Sequence, residues 1–345
     1  MHISEFDYEL PEELIAQQPL PQRDASRMLV MDREKKAWFD TDFASLPDYV
    51  RANDVLVINN TRVFPARLIG QRDPSGGRVE VLLVRERAPS VWEALVKPGA
   101  RLRQGARVKF GDSRLRADVL DAPGNVLRQL RFEYEGPWEA VLEEVGETPL
   151  PPYISRPTGV SMADCERYQT IFARQKGAIA APTAGLHFTP QVFDRLLTRG
   201  AQVTEITLHV GYGTFEPVRV NDVAQHRVAP EEFELCDKAA RTINDARAGG
   251  GRVIAVGTTT ARALESSVNA RGQLEPARTK ADLTIVPGFK FRIIDALLTN
   301  FHLPRSSLLL LVCAFAGRDF VIPAYRHAAY RGYRFYSYGD CMLLI

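Results

Sequence analysis

Short apolar segments alternate with capped helical segments between residues 178 and 270, and this alternation constrains the fold more than any other feature. The segment "GAIAA" is almost wholly apolar, and Thr189 and Pro190 follow it at the positions where a helix begins. The segments "AQVTEITLHV" and "RVIAV" repeat the arrangement, each followed by a segment with helical features, "KAARTINDARA" and "TARALESSV". Strands that alternate with helices at this spacing form βαβ units. We therefore predict an α/β domain with a mostly parallel sheet.

Residues 66–149 show a second pattern, made of short alternating segments that Gly, Pro and Asp turns separate. Examples are "RVEVLLVRE", "ARVKFG" and "LRQLRFEYE", and hardly any helical period occurs before "WEAVLEEVG". This texture is typical of a small antiparallel β-barrel. We predict a barrel domain, 66–149, inserted into a larger discontinuous α/β domain, 1–65 and 150–345, because insertion at a surface loop is well tolerated.

Length and composition exclude several classes of protein. The 345 residues suffice for two domains, and 45% hydrophobic with 25% charged residues is a globular composition. No signal peptide is expected because "MHISEFDYEL" lacks an apolar core, and the apolar run Leu308–Ala316 is too short to span a bilayer. The cysteines form no C-x-x-C pair, and no His, Cys or Asp cluster has metal spacing. We expect a cytoplasmic monomer without a metal or a membrane contact. Because its net charge is only +2, any RNA binding would depend on local clusters of basic residues.

Polar side chains and glycines follow four of the predicted strands. In an open α/β sheet, ligands bind outside the carboxyl ends of the strands, so these loops predict one site at one edge of the sheet. The residues concerned are Asn59, Asn60, Thr61, Arg62, Thr183, Gly185, His187, Gly211, Tyr212, Gly213, Thr214, Glu216, Arg219, Gly257, Thr258, Thr259, Thr260, Arg262 and Glu265. The helix that begins after Gly257 has free N–H groups that can hold an anion; the alternative is a Thr-rich cap with no further role.

Three histidines are candidates for acid or base chemistry, and each has a structural alternative. His187 lies where a strand ends, which suits a general acid or base, although a bond to a carbonyl of the turn would also explain it. His209 lies inside a predicted strand and is equally explained as a core histidine. His302 lies shortly before the proline of "TNFHLPRSS", where an extended backbone is expected, and Asn300 and His302 are candidate ligand contacts.

Nucleotide and RNA binding depend on weaker patterns. Gly211 and Gly213 are spaced as in a dinucleotide-binding turn, but Glu216 stands where a third glycine is expected, which argues against an NAD site. The arginines of two basic segments, "RLRQGARVKFGDSRLR" and "AYRHAAYRGYRFYSYGD", can neutralise phosphates, and the tyrosines of the second can stack on bases. The alternatives are a solvated barrel face and a set of core aromatic residues. RNA binding is expected only if both segments face the same side.

Seven longer motifs are spread in order along the whole chain. They are "LIAQQPLPQRDASRMLV", "VLVINNTRVFPARL", "AAPTAGLHFT", "TLHVGYGTFEPVR", "VIAVGTTTARALES", "PGFKFRIIDALLTNFHLPRSSLLLLVCAFAG" and "YRFYSYGDCMLL". Together they resemble the S-adenosylmethionine:tRNA ribosyltransferase-isomerase family of queuosine biosynthesis. The resemblance is weakest over 66–148, where only the β texture agrees.

The resemblance implies a complete reaction. The substrates would be S-adenosylmethionine and a tRNA with 7-aminomethyl-7-deazaguanine at the wobble position of a GUN anticodon, as in the Asp, Asn, His and Tyr acceptors. The ribosyl part of S-adenosylmethionine would move to the aminomethyl group and isomerise, which gives epoxyqueuosine and releases adenine and methionine. S-adenosylmethionine would be a consumed substrate; no retained cofactor, metal or obligate protein partner is expected.

This reaction and the strand-end positions together suggest roles for the candidate residues. His187 is the expected base, and His209 or His302 the expected acid or positioning group; the two roles can be exchanged. The expected S-adenosylmethionine contacts are Gly185, Gly211, Gly213, Gly257, Thr258, Thr259, Thr260, Arg262 and Glu265. The expected tRNA contacts are Asn59, Asn60, Arg62, Arg219, Asn300, Arg331, Arg334, Tyr336 and Asp340.

One departure from the family pattern and two other function classes stay open. The family usually carries a second histidine in the segment "HRVAPEE", where this chain has Ala229 followed by Pro230. An S-adenosylmethionine-dependent RNA methyltransferase would use the same substrate and sheet type, but its glycine-rich first motif is not apparent. A non-catalytic RNA-binding protein would use the barrel as its platform, but it would not need the polar strand-end loops.

Overall fold

The computed structural model describes residues 1–121, 126–215 and 218–345, so the candidate Glu216 lies outside the described residues. The strands are β1 (Arg27–Asp32), β2 (Ala37–Asp42), β3 (Val55–Asn59), β4 (Thr61–Val63), β5 (Arg67–Asp73), β6 (Arg78–Ala88), β7 (Val91–Lys97), β8 (Arg107–Phe110), β9 (Leu115–Val119), β10 (Arg128–Tyr134), β11 (Gln175–Ala178), β12 (Gln202–Leu208), β13 (Glu231–Leu235), β14 (Val253–Val256), β15 (Ala277–Ala281), β16 (Ala296–Asn300) and β17 (Cys341–Leu344). The α-helices are α1 (Trp138–Val145), α2 (Met162–Arg167), α3 (Pro190–Thr198), α4 (Asp237–Ala248), α5 (Thr258–Ser266), α6 (Ser307–Ala316) and α7 (Arg318–Tyr330).

The chain divides into two compact units. The α/β unit contains Met1–Arg62, Pro152–Ser155 and Glu166–Ile345, and the barrel unit contains Val63–Pro151 and Arg156–Cys165. The sequence placed the boundaries after residues 65 and 149, and it assigned the whole segment after 149 to the larger domain.

A nine-stranded sheet with the order β15-β13-β12-β3-β14-β16-β17-β1-β2 forms the α/β unit. The pairs β12–β3, β3–β14, β14–β16 and β17–β1 are parallel. The other four pairs are antiparallel. The sheet is therefore mixed rather than mostly parallel. The strand β2 follows β1 through a tight hairpin, β13 returns antiparallel to β12 with no α-helix between them, and β17 returns antiparallel to β16 after the two helices α6 and α7.

Burial on both faces explains why the central strands read as continuous apolar runs. All residues of β3, β14 and β16 are buried. Within β3, Val55 and Val57 belong to one core and Leu56 and Ile58 to the core on the opposite face, as the two-residue period of a strand requires. Two packed faces hold the strand ends in fixed positions, which is what a site at those ends needs.

The barrel unit is a closed barrel with the strand order β10-β7-β6-β5-β8-β9, and its strand pairs are antiparallel. Buried and non-buried residues alternate along its strands; in β10, Leu130 and Phe132 point inward between exposed neighbours. Inside this unit the ring of Trp138 lies 5.7 Å from that of Trp92. The predicted fold class, an α/β domain with an inserted antiparallel β-barrel, is confirmed.

The helix α6 consists almost entirely of apolar residues, and α7 follows it directly. No single helix among the described residues is long and apolar enough to cross a membrane, whereas α6 and α7, which meet at an angle of 120°, satisfy length and composition together. Most of their apolar residues, such as Leu309, Val312 and Tyr325, are buried in the main core of the α/β unit.

Candidate active site

A cleft of about 570 Å³ opens where β12, β14 and β16 end, and we call it the strand-end cleft. The loops that follow β11, β12, β14 and β16 contribute to its wall, whereas the loop after β3 does not. Its polar lining residues are Tyr153, Thr183, Thr258, Thr259, Thr299, Asn300, His302, Tyr336 and Ser337. The position at the carboxyl ends of strands is the usual one for a ligand site in this class of fold.

The N-terminus of α5 forms one wall of the strand-end cleft. Gly257 precedes the helix with φ of 93°, a left-handed conformation that glycine adopts without strain. Thr258 and Thr259 line the cleft, and no side chain caps the helix, so its first N–H groups are available to an anionic group. Thr260 does not take part, because its Oγ1 donates to the carbonyl of Val256 over 2.7 Å inside the helix.

His302 and Asn300 line the cleft where β16 ends. The Nε2 of His302 lies 3.0 Å from Oγ1 of Thr299 in a hydrogen bond. Burial lowers the pKa of His302 to about 3, so the ring is neutral at pH 7. The Nδ2 of Asn300 donates to the carbonyl of Tyr336 over 2.9 Å, while its Oδ1 is buried without a hydrogen-bond partner.

His187 lies at the end of a 3₁₀ turn, Thr183–His187, and lines a second cavity of about 280 Å³ that we call the His187 cavity. Its Nδ1 is 2.9 Å from Oγ of Ser26 in a hydrogen bond, and its Nε2 is buried without a partner. Burial lowers the pKa of His187 to about 4, and the positive charges of Arg23 and Arg334 act in the same direction, against the opposing effect of Asn300. The ring is therefore neutral at pH 7.

The strand-end cleft and the His187 cavity adjoin each other. Ser337 lines both, and the amide of Asn300, which lines the cleft, interacts with the ring of His187. Nε2 of His187 and Oδ1 of Asn300 are two buried polar atoms at the junction, and apart from the interaction between these two side chains neither has a hydrogen-bond partner. Buried polar groups are nearly always satisfied, so this junction is suited to a polar ligand group.

His209 does not reach this junction, which corrects the expectation that three histidines meet at one site. Its Nδ1 is 2.8 Å from Oγ1 of Thr61, and the ring lines a separate cavity of about 650 Å³ with Glu232, Glu234 and Arg278. Partial burial lowers its pKa. His209 directly follows β12, and its ring lies beside residues of the neighbouring strands β13 and β15. Its position at the end of a strand therefore did not determine which cavity its ring lines.

Arg262 and Glu265 hold the fold together instead of lining the cleft. Arg262 forms a buried ion pair of 2.6 Å with Glu231 and donates to the carbonyls of Leu283 and Ala281. Glu265 accepts hydrogen bonds from three consecutive backbone N–H groups, those of residues 292–294. Both side chains have partners within the protein and neither lines the strand-end cleft, so the structure gives no support to their expected contacts with S-adenosylmethionine, which stay predictions.

The amides after β3 and one C-terminal carboxylate are also occupied by the protein's own backbone. Asn59 bridges β3 and β12 through the N–H and carbonyl of Leu208, and Asn60 accepts from Oγ1 of Thr207 over 2.7 Å. Asp340 accepts from the backbone N–H groups of Arg27 and Arg334. These three residues tie strands and loops together, which corrects their expected tRNA contacts.

The remaining predicted residues divide into packing glycines and exposed arginines. A side chain at Gly185 would meet the Phe172 ring at 2.8 Å, and one at Gly213 would meet Cβ of Ala229 at 2.8 Å. Gly211 donates its N–H to Glu231. None of these glycines lines the strand-end cleft. Arg62, Arg219 and Arg331 are exposed, whereas Arg334 is half-buried beside His187.

No group of three or more His, Cys, Asp or Glu side chains that could hold a metal ion occurs among the described residues.

Comparison with known proteins shows the family to which the chain belongs. A family model described as "Queuosine biosynthesis protein" matches residues 3–344. The chain belongs to this queuosine biosynthesis protein family. It is 50% identical to a Moorella thermoacetica protein and 48% identical to a Pelotomaculum thermopropionicum protein, each covered completely, and both are named S-adenosylmethionine:tRNA ribosyltransferase-isomerase. It also resembles a crystal structure of S-adenosylmethionine tRNA ribosyltransferase from Thermotoga maritima, with a TM-score of 0.57, 36% identity and coverage of 99% of this chain and 100% of that one.

The sequence reasoning missed several residues of the strand-end cleft and of the junction with the His187 cavity. Ser26 and Ser337 contact or line the junction, and Tyr153 lines the cleft. None of the three follows a strand of the predicted βαβ units. The expectation that ligands bind at the carboxyl ends of strands therefore could not identify them. Ser26 and Ser337 do lie within motifs that resemble the family, which was the available signal.

Proposed function

We propose that this protein transfers and isomerises the ribosyl moiety of S-adenosylmethionine onto 7-aminomethyl-7-deazaguanine at the wobble position of tRNA. The products would be epoxyqueuosine in the tRNA, adenine and methionine. The observation that carries the proposal is that full-length relatives at 48–50% identity have the name of this enzyme. The strand-end cleft and the His187 cavity supply a physical basis for the chemistry.

The reaction needs a base and an acid at the reacting ribose. The positive sulfur of S-adenosylmethionine acidifies the methylene that joins it to the ribose, and a neutral histidine is able to take a proton. We assign this role to His187, whose ring is neutral and whose Nε2 has no partner. Adenine leaves readily only when a ring nitrogen is protonated. His302 is the second histidine near the junction, and because its ring is neutral at pH 7 in the free protein we assign it a positioning role.

The strand-end cleft suits S-adenosylmethionine. We place the methionine carboxylate at the N-terminus of α5, where Gly257, Thr258 and Thr259 present N–H groups and the positive end of the helix. Tyr153 and Tyr336, whose ring centroids are 3.8 Å apart, supply aromatic surface on which a purine can pack. S-adenosylmethionine is thus a consumed substrate in this proposal, and no retained cofactor or metal is invoked.

The family resemblance also suggests which tRNAs are the substrates. We propose GUN-anticodon tRNAs, those of the Asp, Asn, His and Tyr acceptors, as the RNA substrates. We further propose that the enzyme works as a monomer in the cytoplasm without an obligate protein partner.

Product analysis tests the proposal. The protein is mixed with S-adenosylmethionine and a GUN-anticodon tRNA that carries the aminomethyl-deazaguanine, and free adenine, free methionine and the mass of the wobble nucleoside are measured. Equal amounts of adenine and modified nucleoside are expected, with no product from a control tRNA that carries guanine. A methyl-sized mass gain together with S-adenosylhomocysteine would instead identify a methyltransferase. Tight tRNA binding without consumption of S-adenosylmethionine would identify a non-catalytic RNA-binding protein.

A further inference from the structure

Two arginines line the His187 cavity, and no carboxylate is among the residues that line it. Arg23 and Arg167 both line it, and Arg167 is the neighbouring charge that, after burial, most lowers the pKa of Arg23. Both guanidinium groups are held by backbone carbonyls: Arg23 donates to Leu186 and Glu166, and Arg167 donates to Leu20 and Pro21. Carbonyls orient an arginine but do not neutralise its charge.

Three nitrogens around this cavity are buried without a hydrogen-bond partner. They are Nε of Arg167 and Nε2 of His187, which line the cavity, and Nη1 of Arg334, which does not line it but whose charge acts on His187. His187 is only 4% exposed. Arginine nitrogens can only donate, so the two guanidinium groups need an acceptor that the described part of the protein does not supply. An unpartnered charged donor is costly when buried, which favours an oxyanion as the missing group.

The local charge balance is positive. Arg23, Arg167 and Arg334 form no ion pair with a carboxylate in the part of the chain that the structure describes. Two carboxylates act on them from a greater distance: the exposed Glu166 on Arg23, and the buried Asp340 on Arg334. Asp340 already accepts from Arg27, and burial raises its pKa, so it compensates Arg334 poorly.

We propose that the His187 cavity binds a phosphate group of the substrate tRNA, with Arg23 and Arg167 as the residues that contact it. The inference rests on the proposed function and deepens it, because it places the wobble nucleotide on the His187 side and S-adenosylmethionine in the strand-end cleft. Arginine is well suited to this role, since its planar donors match phosphate oxygens. The helix N-terminus of α5 remains available for the carboxylate of S-adenosylmethionine.

A bound phosphate would also change His187. The positive charges of Arg23 and Arg334 lower the pKa of His187 in the free protein, and a phosphate would offset them. His187 would therefore be a stronger base when the tRNA is bound than when S-adenosylmethionine is bound alone. The cavity would thus couple proton abstraction to the presence of the acceptor.

The first test compares tRNA and S-adenosylmethionine binding in charge-neutralised variants. Arg23→Gln and Arg167→Gln are compared with the wild type and with Arg271→Gln, which removes an exposed arginine from a turn outside the cavity. We expect each cavity variant to weaken substrate tRNA binding about 10-fold and to reduce the slope of log K against log salt by about 0.7. S-adenosylmethionine affinity and the Arg271→Gln variant should match the wild type. Weaker S-adenosylmethionine binding with unchanged tRNA binding would assign the anion to the methionine carboxylate and overturn the proposal, as would unchanged binding of both.

The second test observes the cavity directly with inorganic phosphate as the probe. Nitrogen spectra of the six histidines are recorded at constant ionic strength, and the His187 signal is assigned by its loss in His187→Gln. We expect phosphate to shift that signal saturably in the wild type and in Arg271→Gln, but not in Arg23→Lys or Arg167→Gln. The lysine variant keeps the charge and tests the planar donors if Arg23→Gln fails to fold. An unmoved His187 signal would overturn the proposal. Neither measurement uses turnover, so a failure of the proposed function, seen as absent adenine release, is distinguished from a failure of phosphate binding.

Discussion

Two buried histidines should make the stability of this protein fall with acidity. His302 and His187 have pKa values of about 3 and about 4 in the folded protein, against about 6.5 in an unfolded chain. Between these limits the unfolded state binds more protons than the folded state. The free energy of unfolding therefore decreases as the pH falls below about 6.5, and it stops decreasing once the folded pKa is passed.

The magnitude follows from the two pairs of pKa values. At pH 5 an unfolded histidine is almost fully protonated while either folded ring is mostly neutral, which costs about 2 kcal/mol for each residue and about 4 kcal/mol for both relative to pH 7.5. Burial is the first cause for both rings, and for His302 it is the only one, so His302 is the clearer test.

Urea denaturation of the wild type, His302→Gln and the control His2→Gln at pH 7.5, 6 and 5 checks this reasoning. His2 is exposed, so its variant should keep the wild-type dependence on pH. The His302→Gln variant has its own loss of contacts at every pH, but its stability should fall by about 2 kcal/mol less between pH 7.5 and 5 than that of the wild type. An identical pH dependence in His302→Gln and wild type would refute the argument from burial.

Three further changes have expected outcomes. Gly257→Ala places a Cβ at φ of 93° and should lower the free energy of unfolding by about 1–3 kcal/mol, measured by denaturation, and weaken S-adenosylmethionine binding in calorimetry. Arg262→Met removes the cation of the buried ion pair with Glu231 and should cost about 3–5 kcal/mol, most of which the double variant with Glu231→Gln should recover in the same denaturation assay. His187→Ala should reduce adenine release by about 10²-fold or more, while His209→Ala, whose ring lies in another cavity, should retain turnover within a few fold. Equal losses in the two histidine variants would contradict the placement of the site at the His187 junction.

Local sequence patterns predicted the parts of the site that depend on where a strand ends. Gly257, Thr258 and Thr259 follow β14, and Asn300 and His302 occupy the end of β16 and the loop after it; all five line the strand-end cleft. The end of a strand can be recognised from a few neighbouring residues, because an apolar run followed by glycine and polar residues is a local signal.

The direction of a side chain could not be predicted in the same way. Arg262 and Glu265 are on the same helix as Thr258, yet they bond to Glu231 and to the backbone of residues 292–294. The side of a helix that faces a cleft depends on what packs against it. His209 likewise lies next to the predicted strand, but its ring lies beside β13 and β15 and not in the strand-end cleft.

The sequence by itself determined the α/β and β-barrel domains, the ends of the strands and the family. Hydrophobic periods, turn residues and long motifs can each be recognised from residues that are neighbours in the chain. Only the tertiary structure decided that Ser26 and Ser337 meet at His187. That meeting depends on β17 pairing between β16 and β1, which brings the last strand of the chain beside the first. Strand order of this kind is set by the burial of whole faces over hundreds of residues, and no local pattern contains it.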